Sequence, residues 1–76
     1  MSKLLDITKE YADERMHVRV FPSIHTCECV AVSLGNGTVH VTMTTEELGC
    51  EHTMRARAKN AIRMLKQCED GDNEEG

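Results

Sequence analysis

Gly35-Asn36-Gly37, set between two alternating apolar runs, constrains the fold more than any other stretch of the chain. Before it, Glu28, Val30, Val32 and Leu34 occupy every second position, and after it Val39, Val41 and Met43 do the same. A period of two is the pattern of a strand with one buried face. Asn-Gly is the preferred central pair of a type I′ hairpin turn, where both residues need positive φ. A turn centred on Asn36-Gly37 sets Gly35 opposite Thr38. It pairs Leu34 with Val39, Val32 with Val41 and Val30 with Met43, and puts His40 opposite Ser33. The apolar residues then share one face, so turn chemistry and pattern agree.

The segments around the hairpin supply the rest of a domain. Leu4, Ile7 and Tyr11 follow i, i+3, i+7 spacing with Leu5, Thr8 and Ala12 beside them, which predicts a helix over Ser2 to Arg15. Met16 to Phe21 alternates, with Met16, Val18 and Val20 on one side, and predicts a strand stopped by Pro22. Thr44 and Glu47 stand at capping-box spacing before a short helical turn that Gly49 weakens. Thr53 is a second candidate cap, just before a longer helix. In that helix Met54, Ala58, Ala61, Ile62 and Leu65 fall on one face, with Cys68 extending it. The expected fold is α+β: a single domain over residues 1–68, helix, three-stranded antiparallel sheet, helix (αβββα), with both helices on the apolar sheet face. Residues 69–76 are expected to form a disordered acidic tail.

At 76 residues, the chain buries a limited core and is marginally stable. The opening MSKLLDITKEY is broken by Asp6, Lys9 and Glu10 and does not read as a secretory signal. No apolar run approaches the roughly 20 residues that span a bilayer. A soluble, cytoplasmic protein with no membrane partner is expected, and with it reduced thiols at Cys27, Cys29, Cys50 and Cys68. Cys68, beside the acidic tail, is the thiol most open to an intermolecular disulfide.

Charge is segregated along the chain. The net charge is −4, yet the last eight residues carry five acids, and without them eight acids stand against nine bases. Five bases lie in the second helix, where Arg55, Lys59, Arg63 and Lys66 share a face beside the apolar stripe and Arg57 flanks the other side. Such a cationic shoulder grips phosphates or carboxylates, or is simply solvated. The acids Glu69, Asp70, Asp72, Glu74 and Glu75 either keep the chain soluble or meet a basic surface on a partner.

His25, Cys27 and Cys29, with Cys50 and His52, form a weak metal-ligand candidate set. Zinc sites draw cysteine pairs from tight turns, whereas these alternate on or beside strands. No metal and no cofactor are expected. No nucleophile sits beside a glycine-rich oxyanion loop, and no phosphate-cradling motif is present. We expect no enzyme.

The helix–three strands–helix order resembles the double-stranded-RNA-binding domain. That family opens its second helix with a basic run, KKxAK, matched here by Arg55 and Lys59 in RARAKNA, with Ala56 at the second lysine. It also carries a GPxH loop between its first two strands, and Pro22-Ser23-Ile24-His25 stands there. The resemblance implies duplex binding through the basic helix, with His25 as a loop contact. Tyr11 and Phe21 alone make no stacking platform for single strands. In size, charge segregation and lack of catalytic motifs the chain is also similar to the small inhibitors that phages and mobile elements use against host defence, anti-CRISPR proteins among them. That likeness implies binding to a nucleic-acid-handling protein complex. A duplex binder normally carries a clear positive excess, and the charge count here favours the protein partner. Monomer and homodimer both remain open.

Overall fold

The structure is a computed structural model that describes residues 2–22, 26–35 and 37–75, with side chains through Gln67. Helix α1 (Lys3–Tyr11) leads to strand β1 (His17–Phe21), strand β2 (Cys27–Leu34) and strand β3 (Gly37–Thr44). A 3₁₀ turn over Glu47–Gly49 then precedes helix α2 (Glu51–Glu75). The sheet is antiparallel, in the order β1-β2-β3. This is the expected α+β arrangement.

Both helices close the apolar side of the sheet. Leu4 and Ile7 of α1 and Met54, Ala58 and Ala61 of α2 meet Val30, Val41 and Met43 in one cluster. Ile62 and Leu65 meet Val32, Leu34 and Met16 in a second. The whole predicted stripe of α2, Met54 to Leu65, is buried. Each large apolar side chain taken fully from water stabilises the fold by about 1.5–3 kcal/mol, so these two clusters hold the domain together.

Helix α1 ends at Tyr11, four residues short of the predicted end at Arg15. Ser2 caps its start, accepting from the Leu5 N–H at 3.0 Å and donating to Glu28. Ala12 is already extended, although its N–H still reaches the Thr8 carbonyl. Asp13 then takes the chain out of the helix, because its carboxylate accepts from the Arg15 N–H at 2.9 Å and its carbonyl from the Met16 N–H at 3.0 Å. A short acidic side chain competing for local N–H groups ends helices in this way.

The hairpin is present, but its register differs from the predicted one by two residues. Leu34 pairs with Gly37, Val32 with Val39, Val30 with Val41 and Glu28 with Met43. Gly35 has φ +59° and leads the two-residue loop, while Asn36 lies outside the described residues. A shift of two keeps every side chain on its face, so the core is the predicted one. In this register Gly37 lies beside Leu65, and a Cβ built on it would meet Leu65 Cδ1 at 3.4 Å, an ordinary van der Waals contact.

The capping box forms as predicted. The Glu47 carboxylate accepts from the Thr44 N–H at 2.9 Å, and Thr44 Oγ1 accepts from the Glu47 N–H at 3.3 Å. It opens the 3₁₀ turn. Helix α2 starts before Thr53, with the Met54 N–H bonded to the Cys50 carbonyl at 3.1 Å, so Thr53 lies inside the helix and does not cap it. At its other end α2 runs past Cys68 to Glu75, where a disordered tail was expected. Extending an existing helix adds a hydrogen bond per residue without a new nucleation cost, which carries it past Gly71, Asp72 and Asn73 despite their low propensity.

Candidate functional site

The basic helix face is distributed over three neighbours. Arg55 Nη1 donates to Glu10 of α1 at 2.8 Å, and its Nε and Nη2 donate to Glu51 at 3.1 and 2.9 Å. Lys3 reaches the other oxygen of Glu51 at 3.6 Å. Arg55 thus clamps α1 to α2. Hydrogen bonds to Glu10 first, then to Tyr11 and Glu51, raise its pKa, and it stays charged at any working pH. Arg57, on the opposite flank, donates to Glu47 at 2.9 Å and to the Thr42 carbonyl at 3.1 Å. Lys66 lies 3.9 Å from Asp13.

Lys59 and Arg63 differ. Among the described residues neither has an acid within ion-pair distance, and Arg63 instead donates to Asn60 Oδ1 at 2.8 Å. With His52, Ala56, Arg57 and Asn60 they line an open furrow of about 580 Å³ on the solvent side of α2. No acid lines it. A second groove, about 330 Å³, runs between α2 and the edge strand β3, with Val39, His40 and Val41 on one wall and Arg57, Asn60 and Met64 on the other.

The described cysteine and histidine candidates are not gathered. Among the described residues no three His, Cys, Asp or Glu side chains converge as metal ligands. Cys27 and Cys29 lie on β2, and Cys50 is exposed at the start of α2. Thr53 Oγ1 donates to Cys50 Sγ at 3.2 Å. That bond, helped by the N–H groups of Thr53 and His52, holds the thiol below its ordinary pKa. His25, the predicted loop contact, lies outside the described residues, as do the side chains of Cys68, Glu69, Asp70, Asp72, Glu74 and Glu75.

His40 is not where the predicted register put it. It faces Ala31, not Ser33, and its ring stacks on Phe21 with centroids 4.8 Å apart. Since Phe21 pairs with Cys29, the two rings span β2 on the sheet's outer side. Ala31 and Cys29, 1% and 7% exposed, lie beneath them. Cross-strand ring contacts of this kind stabilise a sheet. The pairing was invisible in the sequence because it links two strands through a third.

No protein family, curated protein or solved structure matches this chain. Its chemistry must therefore be judged on its own surfaces. Among the described helices none is long and apolar enough to cross a membrane.

Proposed function

We propose that this protein is a non-enzymatic inhibitory or regulatory module that binds a nucleic-acid-handling protein complex. It is comparable in kind to the small phage and mobile-element inhibitors of host defence, and it acts in the cytoplasm. The observation that carries this reading is the internal neutralisation of α2. Arg55, Arg57 and Lys66 each face an acid of the same domain. Lys59 and Arg63 are left as the cations on this helix without an acidic neighbour among the described residues. A duplex grip needs many phosphate contacts, because counterion release supplies its affinity. Two cations interleaved with Ala56, Asn60 and Met64 suit a mixed protein surface better.

The second reading, duplex binding in the manner of the double-stranded-RNA-binding domain, is favoured by one observation: the shared αβββα order with Lys59 unpaired on α2. Fluorescence anisotropy with short RNA and DNA duplexes across a salt series separates the two. Two free cations give a slope of log K against log salt of about −2 and weak binding. Micromolar affinity with a slope of about −4 or steeper requires about four or more phosphate contacts, beyond what the two free cations supply, and overturns the protein-partner reading.

A further inference from the structure

The main-chain groups along the outer edge of β3 are directed at the groove beside α2. Thr45 N–H bonds to the carbonyl of Thr26, just before β2, so in the paired register the odd residues Val39, Val41 and Met43 face β2. In an antiparallel pair the alternate residues direct both main-chain groups the other way. Two side-chain contacts agree with this assignment. Glu47 accepts from the Thr44 N–H, and Arg57 donates to the Thr42 carbonyl. Between these points the edge is open. Among the described residues the N–H and C=O of His40 and the N–H of Thr42 have no protein partner.

Behind that edge stands a receptive wall. Val41 and Ala61, 4% and 6% exposed, floor the groove, and Met64, 50% exposed, overhangs it. Asn60 Nδ2 lies 3.9 Å from Met64 Sδ, and Asn60 also receives Arg63. This ties the wall's side chains together before anything binds, which lowers the ordering cost of association. Arg57, paired with Glu47, and His40 sit on the rim, and among the described residues no acid lines the groove itself.

We propose that the β3 edge and α2 together take an extended polypeptide segment of the partner as a fourth strand. The segment presents an apolar side chain to Met64 and Ala61 and a carboxylate that competes with Glu47 for Arg57. The inference rests on the partner being a protein. Unpaired donors and acceptors alternating along a strand match another peptide backbone. A phosphodiester backbone would satisfy the His40 N–H and leave its carbonyl without a donor.

The test uses the full chain and a ten-residue peptide in which valine alternates with glutamate. Backbone amide exchange is followed by NMR, with an N-methylated peptide of the same sequence as control. Bound peptide is expected to slow exchange at His40 and Thr42 by at least about tenfold, while the N-methylated peptide gives no protection. Met64→Glu, a change at an exposed position, weakens binding. Equal binding of both peptides, or no protection at about 1 mM peptide, overturns the proposal. So does protection at Val18 and Val20 on the opposite edge, or a concentration-dependent dimer that protects His40 without peptide. The duplex titration above tests the underlying reading separately. Duplex binding with silent peptides sinks both readings, and silent peptides without duplex binding sink only the strand-addition site.

Discussion

Substituting alanine separately at Gly35 and Gly37 separates the two hairpin registers energetically. In the observed register Gly35 carries φ +59°, a conformation that costs an L-residue with a Cβ about 1–2 kcal/mol. Nothing lies within 4 Å of a Cβ built there, so the cost is purely conformational. Gly37 sits in β3, where its added Cβ meets Leu65 Cδ1 at 3.4 Å and the Leu34 carbonyl at 3.7 Å. The first is the end of a side chain that gives by a few tenths of an ångström. Removing glycine from a strand returns about 0.5–1 kcal/mol of backbone entropy. Gly37→Ala is therefore expected within about 0.5 kcal/mol of the parent, and Gly35→Ala about 1–2 kcal/mol below it. For a domain of this size that corresponds to a fall in Tm of about 4–16 °C. Gly35→Asn is expected to recover part of the loss, since asparagine tolerates the left-handed region. Thermal and urea unfolding followed by far-UV circular dichroism reads all three variants. The register predicted with Asn36-Gly37 at the turn centre gives the reverse order. A costly Gly37→Ala beside a neutral Gly35→Ala would refute the reasoning.

Met43, fully buried between both helices and the sheet, should lose about 2–5 kcal/mol on replacement by alanine. The urea midpoint falls at unchanged m, and a loss under 1 kcal/mol would mean that the helices do not pack there. Cys50 should alkylate before Cys29 at neutral pH, because it is exposed and its thiolate is favoured by Thr53. Thr53→Val should slow that reaction about threefold in a mass-spectrometric time course, and an unchanged rate would remove the role given to Thr53. Stability should be flat from about pH 5.5 to neutrality and fall on acidification. The Thr44 N–H holds Glu47, and Arg55 holds Glu51, below the ordinary value of 4.5, while the Arg15 N–H holds Asp13 below 3.8. Folded-state values below the unfolded ones favour folding above those values, and the contribution disappears as the carboxylates protonate. Urea midpoints that stay constant down to pH 3 would show that these contacts add nothing.

The elements were legible where a local period or a local exchange of hydrogen bonds defined them. Met54 to Leu65 reads as a buried stripe because helical geometry alone brings those residues together. Thr44 and Glu47 read as a capping box because both partners lie within one turn. The candidate site was less legible. Arg55 and Lys59 look equivalent along the chain, four residues apart on one face. Yet Arg55 is spent on Glu10, forty-five residues away, and Lys59 on nothing in the described structure. Arg57 was read as a flank of the basic surface, and it also closes part of an open strand edge.

By itself, the sequence determined that the chain makes two amphipathic helices and three strands, which faces are apolar, and that Gly35 to Gly37 turns the hairpin. These follow from periods of 3.6 and 2 and from glycine's access to positive φ, all of which act over a few residues. The tertiary structure alone decided the register, which pairs Leu34 with Gly37 and puts the positive φ on Gly35. It also decided which cations are neutralised, through the approach of α1 to α2, and it placed an unpaired strand edge beside a helix. Those outcomes depend on distances between segments far apart in the chain, and no local pattern encodes them.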